Sequence, residues 1–142
     1  MIRLFAIEDY REVYQLWKKT PGVGLRSLDD SKEGIEKFLL RNPTTNFVAI
    51  ENDRIIGAIL SGHDGRRGYI YHACVEEAYR KKSYGRLLVE YVEDAMEKEK
   101  ITKLGLVCYT RNVFGNPFWE SLGWEKRADL NYYTISLNED NE

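Results

Sequence analysis

The sequence is poor in cysteine, in long apolar runs and in net charge of either sign. Only two of its 142 residues are cysteines, and Cys74 and Cys108 lack the CxxC or Cys/His spacing of a zinc site. We therefore expect two reduced, packed thiols, with neither a disulfide nor a metal site. No stretch approaches the roughly 20 apolar residues that cross a bilayer, so a membrane partner is not expected.

The first residues, MIRLFAIEDY, contain no apolar segment of signal-peptide length. A cytoplasmic protein is therefore expected. The formal net charge is −2, so no positive field extends over the whole molecule to attract nucleic acid. Any anion-binding site must be local.

What the sequence does contain is the pattern of one α/β domain spanning residues 1–142. The apolar periodicity predicts the order β-α-α-β-β-β-α-β-α-β-β, ending in two strands, WEKRADL and YYTISL. This order predicts a mixed sheet in which early strands meet in hairpins and one strand-helix-strand crossover follows.

Two early helix starts are predicted from capping residues. Asp9 can cap a helix whose apolar residues follow at i, i+3 and i+4 spacing. Asp30 and Glu33 have the spacing of a capping box ahead of Ile35. Both aspartates are therefore interpreted first as helix caps.

The stretch YRKKSYGRLLVEYVEDA, residues 79–95, places cations at the start of the longest predicted helix. A helix N-terminus offers unpaired N–H groups and about half a positive charge, so it can hold a phosphate. Gly85 removes a Cβ where a ligand or a strand could approach. The alternative, a solvated basic turn, remains open from this stretch alone. The cations are Arg80, Lys81, Lys82 and Arg86.

Two motifs resemble the GNAT superfamily of acyl-CoA-dependent N-acyltransferases, and the element order resembles the family's from end to end. The chain as a whole is most similar to small stand-alone bacterial members. The family's strand ending in an aliphatic residue and its [RQ]-x-x-G-x-[GA] turn match Val75 and the segment from Arg80 to Gly85. A second feature follows the next strand: an Asn, an aromatic pair and a Gly-aromatic closure. In this sequence these are Asn112, Phe118-Trp119 and Gly123-Trp124.

The resemblance implies a mixed, strongly twisted sheet of six to seven strands with helices on both faces. The sheet would be splayed between its fourth strand, YIYHACV, and its fifth, TKLGLVCYT. Acetyl-CoA would be the cosubstrate, with no metal. Its pantetheine would lie along Ala73, Cys74 and Val75, and its pyrophosphate on the basic turn. The other cofactor-binding residues implied are Arg80, Lys81, Lys82, Ser83, Tyr84, Gly85, Arg86, Asn112 and Phe118.

Two residues of the cofactor site depart from the family pattern. Ser83 replaces the first glycine of the turn, which suits phosphate binding if its φ is negative. Pro117 fits the first turn of a helix, so we expect the late helix to begin at Asn116-Pro117. The contact of Asn112 with pantetheine then stays open beside a simpler role at the end of a strand.

The catalytic positions also differ from the family pattern. Trp119 occupies the position of a tyrosine that acts as general acid, and an indole N–H can donate a hydrogen bond but cannot hand over its proton. The family's base positions hold Tyr71 and Tyr69. Strand alternation places His72 on the opposite face from both, which favours a structural role for it. The tyrosines could hold a water that carries the proton away, or the amine could arrive neutral.

The acceptor is expected to be a small-molecule or peptide amine, bound near the loop TPGVGLRSLDD. Asp29 and Asp30 could attract a cation, and Tyr109 and Tyr132 could add to a tyrosine lining. The predicted function is direct N-acetyl transfer by a monomer or homodimer. Three alternatives remain: an acyl-cysteine intermediate, a CoA-sensing module without turnover, and a nucleotide- or nucleic-acid-binding domain.

Overall fold

A computed structural model describes the whole chain, Met1–Glu142. The helices are α1 Tyr10–Lys18, α2 Lys32–Arg41, α3 Tyr84–Lys98 and α4 Gly115–Ser121. The strands are β1 Ile2–Leu4, β2 Phe47–Glu51, β3 Arg54–His63, β4 Gly68–Val75 and β5 Leu104–Gly105. Short 3₁₀ turns at Ile7–Asp9 and Glu77–Tyr79 precede α1 and α3.

The strands form one five-stranded sheet in chain order, β1-β2-β3-β4-β5. The first four strands pair antiparallel, and β4 pairs with β5 in parallel across the α3 crossover. The mixed α/β sheet, with helices on both faces, is confirmed. The β4–β5 ladder contains only two residue pairs, Gly68 with Leu104 and Tyr69 with Gly105, so the sheet opens from Ile70 onward.

The predicted strand count of six to seven is wrong. WEKRADL and YYTISL form no strand, and the predicted strand TKLGLVCYT is reduced to Leu104–Gly105. A strand needs a neighbour to receive its N–H and C=O groups. Because β5 leaves the sheet after two residues, these later segments have no ladder to join, and Leu137 is 94% exposed.

The sheet separates two apolar cores. Under α1 and α2 lie Val13, Leu16, Trp17, Ile35, Val48, Ala58, Leu60 and Cys74. Under α3 lie Ala49, Ile56, Ile59, Ile70, Leu88, Val89, Val92 and Met96. Complete burial of one large apolar side chain stabilises the fold by about 1.5–3 kcal/mol relative to leaving it exposed. The sheet edge that carries the site is therefore anchored from both faces.

The predicted cap of α1 is right in position only, and the predicted cap of α2 is wrong. Asp9 occupies the N-cap position of α1, but its carboxylate accepts hydrogen bonds from Arg3 and from the Ala6 N–H. Ser31 caps α2, because its extended backbone aims Oγ at the Gly34 N–H, 3.0 Å away. Asp30 is thereby free to bond elsewhere.

The end of α4 follows the prediction. Gly123 has φ +87°, and the rings of Trp119 and Trp124 lie 4.9 Å apart across it, the apolar contact that accompanies such an ending. The start of α4 lies at Gly115, one residue before the predicted Asn116. No helix in the chain is both long and apolar enough to cross a bilayer.

Candidate functional site

The site is built on the free edge of β4. Beyond Tyr69, this strand pairs only with β3, so the side of Ile70–Val75 that would face β5 has no partner strand. The sequence predicted Ala73, Cys74 and Val75 as main-chain contacts here. The structure places all three along the opening.

A β-bulge at Tyr71 changes which side chains face the opening. Leu60 pairs with His72 while Ser61 pairs with Ile70, so Tyr71 is an extra residue in β4. A bulge of this kind breaks the alternation of side chains along a strand. The predicted opposite-face placement of His72 is therefore wrong. Its ring lies 4.9 Å from that of Trp17 in α1, on the same side as Tyr71.

Three tyrosines cluster on this side of the sheet. The rings of Tyr69 and Tyr71 lie 4.6 Å apart, and Tyr71 packs edge-on against Phe38 of α2. Burial, together with the neighbouring Tyr132 hydroxyl, raises the pKa of Tyr69 to about 12. Burial, Tyr132 and Asp29 also raise the pKa of Tyr71. Both phenols are therefore protonated at neutral pH, where they can donate or accept hydrogen bonds but cannot act as phenolate bases.

Beside the tyrosines lies a buried histidine-aspartate pair. His72 Nε2 is 2.9 Å from Asp30 Oδ1, and the two side chains are only 11% and 5% exposed. The other carboxylate oxygen of Asp30 accepts the Arg26 N–H at 2.7 Å. Tyr10 donates its hydroxyl to the Asp30 carbonyl at 2.6 Å. Asp30 therefore connects the loop before α2 to β4.

The loop of residues 20–30 crosses the opening from β4 to the segment after β5. A Cβ on Gly24 would lie 3.0 Å from the Tyr109 hydroxyl, and one on Gly22 only 2.6 Å from Asn112 Nδ2. These close approaches put both glycines against the far side of the opening. The outer side of the loop is held by Asn141, which bonds the N–H groups of Leu28 and Asp29.

The cationic turn at the start of α3 has an unusual backbone. Lys81 and Ser83 have φ +70° and +67°, so the condition that Ser83 has a negative φ is not met. The left-handed conformation costs a residue with a side chain roughly 1–2 kcal/mol, and the family's glycine would avoid that cost. No side chain caps this helix end, and its first turn contains no acidic residue.

The side chains of the turn are partly engaged by the protein. Arg80 Nε donates to the Val75 carbonyl at 3.0 Å, which fastens the turn to the end of β4. Glu51 accepts the Tyr84 hydroxyl and lies 3.8 Å from Lys82 Nζ. Lys81 and Arg86 complete the basic group at this helix end.

Gly85 provides space for another side chain of the predicted site. A Cβ on Gly85 would lie 3.1 Å from the Phe118 ring of α4 and 3.9 Å from Val75. The absent side chain thus allows α4 to close against the first turn of α3. Phe118 also packs edge-on against Trp119, with ring centroids 5.0 Å apart.

Asn112 and Trp119 are held by internal contacts. Asn112 Oδ1 accepts the Gly115 N–H at 2.8 Å and the Phe114 N–H at 3.3 Å, so it caps the start of α4. Trp119 lies between Phe118 and Trp124. The indole therefore belongs to an aromatic cluster that packs on the α3 side of the sheet.

Both cysteines are free thiols. Burial raises the pKa of Cys74 to about 12. Burial also raises the pKa of Cys108, opposed by a hydrogen bond with Asn112. Neither thiol is a ready nucleophile at neutral pH, because the thiolate is the reactive form. No cluster of three His, Cys, Asp or Glu side chains is placed to hold a metal ion.

Sequence reasoning missed the contacts that join distant segments at this site. Glu51 lies 33 residues from Tyr84, and Asn141 lies 112 from Asp29. Residues this far apart in the sequence show no local pattern that would predict their contact. The bulge that turns His72 toward Asp30 likewise has no signature in YIYHACV.

Comparison with known proteins identifies relatives along most of the chain. Residues 10–124 match the model of the acetyltransferase (GNAT) family. An acetyltransferase of Yersinia pestis (strain Pestoides F) is 30% identical over 129 residues, which span 91% of this chain and 90% of the relative.

Two solved structures resemble the fold at lower sequence identity. Ard1 from Thermoplasma volcanium superposes with a TM-score of 0.79 at 18% identity, over 90% of this chain and 84% of that one. The NatB acetyltransferase complex bound to CoA and MES gives a TM-score of 0.73 at 18% identity, over 87% of this chain and 82% of that one.

Proposed function

The chain belongs to the acetyltransferase (GNAT) family, and from this premise we propose that it transfers an acetyl group from acetyl-CoA to the nitrogen of an amine acceptor. One observation carries the proposal: the free edge of β4 is followed, after a short 3₁₀ turn, by an uncapped, cationic helix start. A long ligand with an amide-bearing arm and a pyrophosphate has matching chemistry along this path.

The pyrophosphate would bind at the N-terminus of α3. The N–H groups in the first turn of a helix lack intrahelical partners, and turns that contain left-handed residues direct successive N–H groups toward an anion. Lys81, Lys82 and Arg86 would add charge, while Ser83, Tyr84 and Gly85 would contribute main-chain groups. Arg80 supports the turn from below through Val75.

The amide-bearing arm would pair with the main chain of Ala73, Cys74 and Val75, as an added strand does at a sheet edge. An unpaired N–H in the same stretch would stabilise the negative charge that develops on the acetyl carbonyl oxygen. Phe118 and Asn112 border this path from α4 and the turn before it. The proposed fit depends on the unpaired main-chain groups along this edge of β4.

Proton transfer is the demanding part of the reaction. An amine with a pKa of about 10.4 is almost entirely protonated at pH 7, and only its neutral form attacks a thioester. Tyr69 and Tyr71 would hold a water that receives the proton. Trp119 can support the leaving thiolate only by a hydrogen bond, and a thiol of pKa about 8.5 leaves adequately without a general acid.

Transfer would be direct, without a metal or a covalent enzyme intermediate. The raised pKa values of Cys74 and Cys108 disfavour an acyl-cysteine. The expected acceptor is a small-molecule or peptide amine, with no nucleic acid or membrane involved. The protein would act as a monomer or homodimer in the cytoplasm.

The second candidate is an acyl-CoA sensor with the same fold and no turnover. It is favoured by Trp119, which packs among aromatic rings at the position of the family's general acid, because an indole N–H donates a hydrogen bond but is too weak an acid to hand over its proton. Both candidates require CoA binding, so binding alone does not separate them.

A paired experiment distinguishes the candidates. Calorimetry measures CoA binding, and release of the CoA thiol is measured with acetyl-CoA against a panel of amines, amino acids and peptides. Binding with acceptor-dependent thiol release supports the transferase. Binding without release across the panel supports the sensor. If CoA does not bind, both the transferase and the sensor are contradicted, and nucleotide or nucleic-acid binding by the basic turn becomes the hypothesis to test.

A further inference from the structure

His72 is close to the proposed acceptor site, yet the mechanism above does not use it. Its Nε2 atom is occupied by Asp30 at 2.9 Å. The other oxygen of the carboxylate accepts the Arg26 N–H, and an ionised carboxylate has no proton to donate, so His72 is the donor when Asp30 is ionised. A neutral imidazole bonded in this way carries its proton on Nε2 and has a free lone pair on Nδ1.

The His72 imidazole is not fully sealed from solvent. Its side chain remains 11% exposed. The one hydrogen-bond contact of the ring joins Nε2 to Asp30, so Nδ1 has no partner within the protein. The imidazole is thus neither sealed in the core nor fully exposed.

The groups that cover His72 indicate by exclusion where its exposed surface faces. Opposite it in the ladder, Leu60 is 4% exposed, and Cys74, which also packs into the core beneath α1 and α2, is 7% exposed. Trp17 covers the ring from α1. The side that remains is the unpaired edge of β4, where Tyr71 is half-exposed.

We propose that His72 is the proton acceptor of the transferase and that Asp30 is its positioning residue. The proposal deepens, and rests on, the acetyl-transfer function above. Asp30 holds the proton on Nε2 and leaves Nδ1 to accept a proton, the arrangement by which carboxylates orient histidine bases. A water held by the Tyr71 hydroxyl would connect Nδ1 to the acceptor, since a general base can act through one water.

The acceptor ammonium loses one proton through the water to Nδ1, and the neutral amine nitrogen forms a bond to the acetyl carbon. The carbon-sulfur bond breaks and its electron pair leaves with the CoA thiolate. The nitrogen's surplus proton goes to that thiolate, and His72 returns its own proton to solvent. The products are the amide and the CoA thiol.

Several ionisable groups surround His72, and their protonation affects how a pH profile is interpreted. The ionisable ones come from the loop, from α1 and from β4 itself: Asp30, Tyr10, Tyr71 and Cys74. β3 contributes Leu60 opposite His72, and α2 contributes Phe38 against Tyr71. Burial raises the pKa values of Tyr10, Tyr71 and Cys74, so these groups stay neutral near pH 7.

The test compares His72→Gln, Asp30→Asn and Tyr10→Phe in the full chain. Gln can still donate to Asp30, so it preserves the link to the loop but cannot accept the proton. In Asp30→Asn, the amide oxygen can still accept the Arg26 N–H, while the amide NH₂ donates to Nε2 of His72. The imidazole proton then moves to Nδ1. Tyr10→Phe removes another bond to Asp30 without changing the imidazole, and it controls for loosening of the loop.

The proposal predicts that kcat falls about 100-fold or more in His72→Gln and Asp30→Asn, with the KM for acetyl-CoA nearly unchanged. The ionisation in the kcat profile of the native enzyme should disappear in His72→Gln and persist in Tyr10→Phe. A His72→Gln enzyme that keeps the profile and kcat within about threefold overturns the proposal, as does an equal loss of kcat in Tyr10→Phe and Asp30→Asn.

A second readout separates this inference from the proposed function. The ¹⁵N shifts of the His72 ring report its tautomer without turnover, so they remain informative if no amine is acetylated. The native protein should show the proton on Nε2, and Asp30→Asn should move it to Nδ1. A native protein with the proton on Nδ1 overturns the role of Asp30. If the proton lies on Nε2 as expected but no amine in the panel is acetylated, the transferase function is rejected, and the catalytic role of His72 is rejected with it.

Discussion

Gly85 of α3 lies directly against Phe118 of α4, so that a Cβ on the glycine would come within 3.1 Å of the phenyl ring. The two residues belong to separate motifs of the acetyltransferase family, and their contact joins the turn proposed for phosphate to the late helix. Packing at this contact therefore controls the shape of the proposed cofactor path.

Replacing Gly85 by valine should weaken CoA binding at least tenfold. The added methyls would push Phe118 and α4 away from the first turn of α3, since overpacking a close contact costs typically 1–3 kcal/mol. Calorimetric titration with CoA measures the loss. Combining Gly85→Ala with Phe118→Leu should recover affinity relative to Gly85→Ala alone. A double variant no better than the single one would mean that the glycine serves the ligand and not the phenyl ring.

Replacing Ser83 by glycine should leave CoA affinity unchanged or slightly improved. The left-handed backbone of Ser83, φ +67°, is strained for serine and natural for glycine. The free energy of unfolding, measured by thermal denaturation, should change by less than about 1 kcal/mol. Relief of the backbone strain is partly offset by the larger entropy of glycine in the unfolded chain. A tenfold loss of affinity would instead assign the serine hydroxyl to the ligand.

The sequence predicted the parts of this site that are encoded locally. The apolar periodicity located α3, and Gly123 with Trp124 marked the end of α4. The terminal strands were mispredicted because strand propensity in YYTISL is realised only beside a partner, and the split removes that partner. The position of His72 was mispredicted because one inserted residue, Tyr71, reverses the alternation of every side chain beyond it.

The tyrosine cluster should make folding stability sensitive to alkaline pH. Because burial raises the pKa of Tyr69 from its ordinary value near 10 to about 12, its contribution is complete below pH 10 and is lost as pH rises to 12. Urea unfolding across this range should show a shallower decline for Tyr69→Phe than for the native protein. Tyr133, which is 86% exposed, provides the control, and Tyr133→Phe should retain the native slope. Equal slopes in all three proteins would contradict a buried Tyr69 phenol.

The two thiols should differ in their reactivity toward iodoacetamide. Cys74 is buried and its pKa is raised to about 12, whereas Cys108 is partly accessible. Burial also raises the pKa of Cys108, so in the native protein at pH 8 mass spectrometry should find slow labelling of Cys108 and none of Cys74. Urea should expose both thiols and speed the labelling of each. Protein mixed with acetyl-CoA alone should gain no acetyl group on either cysteine. An acetylated Cys108 in that mixture would contradict direct transfer.

Removal of the Asn141 side chain should affect the acceptor more than the cofactor. Its amide bonds the Leu28 N–H at 3.0 Å, the Asp29 N–H at 3.1 Å and the Asp29 carboxylate at 2.8 Å. These bonds are exposed, so each stabilises the loop by no more than about 0.5–1.5 kcal/mol.

The loop they restrain reaches Tyr109 and Asn112 across the opening, and it makes no hydrogen bond to the helix start proposed for phosphate. Asn141→Ala should therefore raise the KM for the amine severalfold while the KM for acetyl-CoA stays the same. Ser136→Ala is the matched control, because Ser136 bonds only within its own segment, to the Asn138 carbonyl. If both KM values rose together in Asn141→Ala, the loop would be part of the cofactor path, and the acceptor would have to enter from the opposite side of the sheet.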